Sequence, residues 1–272
     1  MIRLKTVTAR QGNAWVREGA RNFFRQPLGY TAIFAIVLLA GLLLSQLGWV
    51  GLFASLSLTP FATMGFTLAG REQREGRSVH PGQLLQPWRD AATRNALLRL
   101  GAVYAALFIA CLLLSMAVDG GRGTQLMDEI AAQTAAGAAS AQPVVDEALL
   151  SGALGGSLVA MVLFGLLSLV FWHAPALVAW QREPVAKALF ASVLACWRAR
   201  GAFTLMGLTW IGLIVAFMVV AQLLFMLFGQ AQGALLAAMP AALMFSTAFY
   251  ASLYAIYTDS FEVAEGDSPP AP

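Results

Sequence analysis

Residues 201–258 read GAFTLMGLTWIGLIVAFMVVAQLLFMLFGQAQGALLAAMPAALMFSTAFYASLYAIYT, and not one of them is Asp, Glu, Lys or Arg. A helix needs about 20 apolar residues to cross roughly 30 Å of hydrocarbon, so this run is long enough for two membrane spans. Residues 26–70 form another uncharged run of that kind, and 100–118 and 148–181 each have room for one span. We therefore predict six transmembrane helices, with approximate limits 28–46, 49–69, 97–118, 155–180, 202–228 and 234–257.

The composition of the whole chain agrees with a membrane protein. Apolar residues make up 59% of it and charged residues 11%, whereas about a quarter of the residues in a soluble domain are charged. We predict an all-α fold, a polytopic transmembrane helical bundle in which residues 1–258 form a single domain. Residues 259–272 are acidic and end in SPPAP. Such a composition cannot bury a core, so we predict that this tail is disordered.

The positive charges lie almost entirely in three segments: the N-terminal arm, the segment between spans two and three, and the segment between spans four and five. The loop 119–147 has Arg122 as its one cation beside five carboxylates. Short loops rich in Lys and Arg stay in the cytoplasm. We therefore expect the three basic segments and both termini to be cytoplasmic, and the loop 119–147 to lie outside.

The basic segments also contain amphipathic stretches. Within 184–200, Val185, Leu189 and Trp197 fall on one helical stripe and Ser192 faces away, which predicts a helix that lies in the membrane interface. Cations near the surface attract anionic phospholipid headgroups by about 1 kcal/mol each. The cations that we expect to face lipid form what we call the basic rim: Arg17, Arg21, Arg89, Arg198 and Arg200. The alternative is that these cations only fix the topology and pack against the bundle.

The three basic segments suggest a threefold tandem repeat of an amphipathic helix, an outward span and a kinked inward span. Each segment has a tryptophan beside a basic residue, and we expect these to be interfacial aromatics: Trp15, Trp88 and Trp197. The second span of each pair carries one proline, which predicts helix kinks: Pro60, Pro175 and Pro240. The alternative is coincidence, because Trp and Arg are common at membrane interfaces and Pro is tolerated in buried spans.

The spans offer few groups for chemistry. His173 is the one imidazole inside a predicted span. It could act as a gate or a ligand site, and the alternative is a neutral histidine bonded to a carbonyl that Pro175 frees. Motifs of metalloproteases, serine hydrolases and phosphate-binding loops are missing, and His80 has no Cys or His neighbour for a metal site. We predict no enzymatic activity, no cofactor and no metal. No nucleic acid partner is expected either, because no reading motif accompanies the charge.

Three short motifs carry a family resemblance. Residues 171–178, FWHAPALV, lead through a basic loop to 195–198, ACWR, and then to 201–203, GAF. This order resembles a family of uncharacterised bacterial integral membrane proteins of about this length, and the resemblance covers most of the chain. It implies a protein of the bacterial inner membrane with nothing catalytic. More distantly, the helices before paired spans are similar to the membrane portions of some glycerophosphodiester phosphodiesterases, whose catalytic domain this chain lacks.

Two functional hypotheses remain open. The first is a structural or accessory protein whose basic rim organises anionic phospholipid or a partner membrane protein. The second is a channel or facilitator for a neutral or amphipathic solute, with a path opened by the proline kinks. The second hypothesis predicts a polar-lined cavity to which Gln46, Ser168 or Ser246 is exposed.

Overall fold

The computed structural model describes residues 3–135, 147–229 and 234–262. In these ranges the chain is helical apart from turns and one isolated antiparallel bridge between Leu4 and Phe261, and six helical segments are long and apolar enough to cross a membrane. The fold is thus an all-α polytopic bundle, as predicted. Its helices are α1 (Gln11–Arg25), α2 (Pro27–Ser45), α3 (Gly48–Arg74), a 3-10 helix (Pro81–Leu84), α4 (Gln86–Arg89), α5 (Ala91–Asp119), α6 (Arg122–Ala135), α7 (Glu147–Phe171), α8 (Ala174–Trp180), α9 (Val185–Arg198), α10 (Arg200–Leu227), α11 (Ala234–Tyr250) and α12 (Leu253–Ser260).

These helices follow one another in three groups of similar order. Each group starts with a short helical segment, continues with a span that leads away from it and returns through a second span; we call these the outward and inward spans. The first group is α1, α2 and α3; the second is the 3-10 helix with α4, then α5, then, after the additional helix α6, α7 with α8; the third is α9, α10, then α11 with α12. We call the end of the bundle that carries α1, α4 and α9 the basic end.

The short segments link the groups into a closed ring. The 3-10 helix of the second group packs on α3, α9 of the third group packs on α7 and α8, and α1 of the first group packs on α10 and α11. Each short segment therefore contacts spans of the preceding group. This cyclic packing is what a threefold tandem repeat produces.

Close approach between helices depends on small residues. A Cβ added to Gly101 of α5 would collide with the backbone carbonyl of Ser57 in α3. One added to Gly19 of α1 would collide with the carbonyl oxygen of Ala248 and would lie 2.9 Å from the Cβ of Ser252. Without side chains at these positions, the helix backbones come into direct contact. The glycines thus fix two of the packing contacts between groups.

The three prolines do not all mark interruptions of the helices. The helix α3 runs without a break through Pro60. The second group is interrupted at Trp172 and His173, just before Pro175. In the third group the interruption lies at Ala251 and Ser252, and Pro240 lies inside α11. The interruption of the third group therefore lies about three turns beyond Pro240, and the kink at Pro240 stays a prediction.

The two termini meet at the basic end. The Lys5 amide donates to the Ser260 carbonyl at 3.0 Å, and the Glu262 amide donates to the Arg3 carbonyl at 3.0 Å. Phe261 is fully buried. Residues 259–262, which were expected to begin the disordered tail, thus belong to the fold because they pair with the N-terminal arm. The rest of the predicted tail lies outside the described residues.

Candidate functional site

An aromatic residue followed by arginine lies just ahead of each outward span. The pairs are Phe24–Arg25, Trp88–Arg89 and Trp197–Arg198, and in each pair the aromatic residue comes three positions before the first residue of α2, α5 or α10. We call these pairs the aromatic–arginine steps. Because the three short segments close a ring, the steps lie around the basic end, one in each group.

The step of the first group differs from the one expected. Trp15 is 1% exposed, and its indole Nε1 donates to Asp259 Oδ2 at 2.8 Å. Its ring packs on Phe203 with centroids 5.4 Å apart. Trp15 is therefore a core residue and not an interfacial aromatic, because it lies in the second turn of α1 on the face that packs against α10. Phe24 takes the equivalent place, and its distance from the start of the span is the signal that identifies it.

The steps present apolar and cationic groups together. The Phe24 and Trp197 side chains are 67% and 64% exposed, and the guanidinium of Arg200 lies 5.5 Å from the centre of the Trp197 ring. Trp88 is only partly exposed, because its ring stacks on Phe61 with centroids 4.2 Å apart. An exposed aromatic ring beside a cation is the arrangement that membrane interfaces favour.

The cations near the basic end include two contrasting sets. One set forms ion pairs: Arg3 with Glu262, Arg71 with Glu75, Arg74 with Glu18, Arg77 with Glu72 and Glu75, and Lys187 with Glu183. The other set is exposed and forms no ion pair with any residue that the structure describes; besides Arg10, Arg99 and Arg182 it contains Arg17, Arg21, Arg25, Arg89, Arg198 and Arg200. All five members of the basic rim belong to this second set. They keep their full charge available for an external anion.

The break between α7 and α8 is filled by a side chain of α9. Ser192 Oγ donates to the Leu169 carbonyl at 3.0 Å and accepts from the His173 amide at 3.0 Å, which bridges the interrupted helix. Asn22 of α1 acts similarly at the other break, where its amide nitrogen donates to the Ala251 carbonyl at 3.2 Å. Ser192 was expected to face away from the apolar stripe; it does, but toward the bundle, and it is completely buried.

His173 lies in an aromatic surrounding near this break. It is 2% exposed, and its ring centre lies 5.1 Å from that of Phe261 and 6.3 Å from that of Phe203. Its Nε2 has no hydrogen-bond partner among the described residues. The Leu169 carbonyl at the break is bonded by Ser192 instead, so the expected bond from the imidazole to a freed carbonyl is not observed. The described ranges contain no cluster of His, Cys, Asp or Glu that would hold a metal ion.

Two cavities border α11. The larger, about 720 Å³, lies between α2 and α3 and includes Trp88. The smaller, about 380 Å³, lies between α10 and α11 and includes Trp210, whose Nε1 is buried without a partner in the described part of the chain. Ser246 and Tyr250 line both cavities, and most of the other lining side chains are apolar.

The polar residues expected to line a pathway do not come together. Gln46 lies in the exposed turn between α2 and α3, and its amide nitrogen is 3.4 Å from the Leu42 carbonyl. Ser168 is exposed on the outside of α7, and its hydroxyl donates to the Phe164 carbonyl at 2.8 Å. Of the three, Ser246 alone lines the two cavities.

Comparison with known proteins gives one relative of full length. The chain is 33% identical over 273 residues to a protein of Burkholderia thailandensis that is described as a probable inner membrane protein, and the similarity covers 100% of this chain and 98% of the relative. No protein-family model matches the chain, and no solved structure matches it. Identity at this level over the whole length shows common descent and a shared fold.

Proposed function

The chain belongs to the same family as this inner membrane protein, and from that premise we propose that it is an accessory protein whose basic end binds anionic phospholipid headgroups. In this proposal the aromatic–arginine steps and the basic rim bind lipid around the bundle, and a partner membrane protein can bind the same lipid. The protein carries out no enzymatic reaction.

The observation that carries this proposal is the set of exposed arginines without ion-pair partners in the described ranges. Such a cation near an anionic membrane surface gains about 1 kcal/mol, and the neighbouring aromatic ring prefers the headgroup region. An ion-paired cation gains less, since its carboxylate already compensates the charge. The unpaired set occurs in all three groups, so the attraction is distributed around the whole basic end.

The orientation follows from the same charges. We propose that the basic end, with both termini, faces the cytoplasm, because Lys and Arg are retained on that side and the inner leaflet is rich in anionic lipid. The distant likeness to the membrane portions of glycerophosphodiester phosphodiesterases remains a hypothesis. It agrees with a lipid ligand but assigns no activity to this chain.

The facilitator hypothesis has weaker support. It predicted a polar-lined cavity to which Gln46, Ser168 or Ser246 is exposed, and Gln46 and Ser168 lie elsewhere. Ser246 lines both cavities, but their surroundings are otherwise largely apolar. An apolar cavity that borders the outside of the bundle suits a hydrocarbon chain better than a soluble solute.

The test removes three rim charges by Arg89→Gln, Arg198→Gln and Arg200→Gln. A matched control removes three ion-paired cations by Arg74→Gln, Arg77→Gln and Lys187→Gln, so the net charge of both variants falls from +3 by the same amount. Lipid that co-purifies with each protein is then measured by mass spectrometry. We expect the rim variant to lose phosphatidylglycerol and the control to retain it. Equal lipid recovery in the rim variant and the unaltered protein would refute the proposal.

A further inference from the structure

The larger cavity is a groove on the outside of the bundle and not an enclosed chamber. Ile36, Leu38 and Leu42 of α2 line it with side chains that are 45%, 50% and 56% exposed. Since α2 is a membrane span, these exposed side chains face hydrocarbon. The groove is therefore open to the lipid and can be entered from the side.

The shape of the groove limits what can occupy it. Its volume is about 720 Å³, whereas a transmembrane helix about 10 Å wide and about 30 Å long takes up roughly 2,400 Å³. A whole span of a second copy therefore cannot enter the groove, and such a span would only lie across its opening. Along α2 the groove extends from Phe34 to Ser45, about 16 Å at the rise of a helix, which is close to the depth of about 15 Å of one leaflet.

The groove is apolar along its length and has a cation next to one of its lining residues in the chain. The lining is mostly aliphatic and aromatic, and the Thr63 hydroxyl bonds to the Thr59 carbonyl of its own helix at 3.1 Å. Trp88 lines the groove, and the residue that follows it, Arg89, is exposed. Arg89 has no ion-pair partner among the described residues. An apolar groove with an unpaired cation one residue beyond its lining suits an acyl chain joined to an anionic headgroup.

We infer that the groove between α2 and α3 binds one acyl chain of an anionic phospholipid whose phosphate lies at Arg89. This inference rests on the proposed function for the identity of the headgroup, and it adds a defined site to a rim that would otherwise hold lipid only by charge. Trp88 lines the groove and is held by stacking of its ring on Phe61, with centroids 4.2 Å apart.

The first experiment uses phosphatidylglycerol with a photoreactive diazirine at the end of one acyl chain, in liposomes that contain the full-length protein. After illumination, the modified peptides are identified by mass spectrometry. We expect the adducts to concentrate on the parts of α2 and α3 that line the groove. Equal yields on exposed residues of α10, such as Leu208 and Val215, would overturn the inference. Cross-links between two protein chains at the groove would also overturn it, because a second copy would then be the occupant.

A second experiment fills the groove from its own wall by Gly41→Leu. Gly41 lines the groove, and an added Cβ would meet only Ser55 Oγ, at 3.6 Å, so the new side chain enters free space without displacing backbone. The matched control is Gly165→Leu on α7, where an added Cβ meets nothing within 4 Å. We expect about a tenfold loss of groove adducts at limiting lipid in Gly41→Leu, because about two methylenes are excluded, and no loss in Gly165→Leu. Unchanged adducts in Gly41→Leu would contradict the inference.

A third experiment separates this inference from the proposed function. Arg89→Gln should lower the groove adducts of the phosphatidylglycerol probe and leave those of a phosphatidylcholine probe unchanged. If both probes are insensitive to Arg89→Gln, the headgroup assignment is wrong. If Gly41→Leu has no effect while the rim variant still loses phosphatidylglycerol, the groove does not bind the acyl chain, but the proposed function stands. If the groove adducts form but the rim variant keeps its lipid, the proposed function fails instead.

Discussion

A single hydroxyl, that of Ser192, connects two groups of the bundle. It takes the place of a missing turn by bonding both the Leu169 carbonyl and the His173 amide. A backbone group that is buried without a partner costs about 1 to 3 kcal/mol, so a break in a buried helix persists only where another side chain satisfies it. This explains why the interruptions lie beside Ser192 and Asn22, and why the one at Ala251 and Ser252 occurs far from any proline.

Replacement of this hydroxyl should therefore destabilise the protein. We expect Ser192→Ala to lower the free energy of unfolding by about 1 to 3 kcal/mol, since the His173 amide loses its partner and the Leu169 carbonyl keeps only the weak Cys196 thiol donor. Ser168→Ala is the matched control, because the Ser168 hydroxyl is exposed and bonds within its own helix. Thermal unfolding in detergent, followed by tryptophan fluorescence, measures the difference. Equal midpoints for the two variants would show that the Ser192 bridge contributes nothing.

Cys196 provides a second test at this scale. Its Sγ lies 3.6 Å from the Leu169 carbonyl, and burial raises the pKa of the thiol to about 12. An ordinary thiol has a pKa of about 8.5 and reacts faster as the pH rises from 7 to 9, because the thiolate is the nucleophile. With Cys111→Ser in the background, we expect Cys196 to resist maleimide over this range until the protein is unfolded in SDS. Rapid labelling of the folded protein at pH 9 would mean that Cys196 is not buried.

Residue-level roles were the part least accessible from the sequence. The pattern placed Ser192 opposite the apolar stripe of α9, which was right, but that face points to the bundle and not to water, while Trp197 of the stripe is exposed and Val185 and Leu189 are only partly buried. Trp15 was assigned to the interface from its type and its neighbour Arg17. Periodicity alone does not tell which side of an amphipathic helix meets protein when both lipid and core are apolar.

At the scale of helices, close contacts rather than apolar burial hold the spans together. The surroundings of a span are as apolar as its partner, so association depends on packing and on small residues at the contact. Gly101 shows this most clearly, because its α5 backbone meets that of α3 at Ser57. The six spans were predictable because length and lack of charge define them. The contacts between them were not, since every span is apolar on all sides.

A matched pair of substitutions tests this contact. We expect Gly101→Ala to destabilise the bundle by about 1 to 3 kcal/mol, because the new methyl group collides with backbone that cannot move alone. In Gly165→Ala the methyl group enters open space, and the better helix propensity of alanine leaves stability unchanged or raised by up to about 1 kcal/mol. Unfolding in detergent gives both values. If the two substitutions have the same effect, the α3–α5 contact is looser than the structure indicates.

At the scale of the whole molecule, the three groups form a ring in which every short segment contacts the preceding group. The arrangement brings the termini together and places all three aromatic–arginine steps at one end. Charge clustering, read from the sequence, was enough to predict a basic end. The step of the first group, Phe24–Arg25, could be identified only from the observed start of α2, because its aromatic residue is not a tryptophan.

The orientation of this ring in the membrane is testable with single cysteines in a protein without native cysteines. Ser78 is exposed at the basic end, and Thr124 is exposed beyond the opposite end of α5. We expect a membrane-impermeant maleimide to label Thr124→Cys in bacteria whose inner membrane is intact, and to label Ser78→Cys only after that membrane is permeabilised. The reverse pattern would place the basic end outside and remove the basis for binding inner-leaflet lipid.

We propose that the aromatic–arginine steps bind anionic lipid, and native mass spectrometry of the detergent-purified protein during a phosphatidylglycerol titration can test this. We expect discrete bound lipids whose number falls by one with each of Arg25→Gln, Arg89→Gln and Arg198→Gln, and much weaker binding of phosphatidylcholine. The same lipid distribution for all three variants and the unaltered protein, or equal binding of the two lipids, would contradict it.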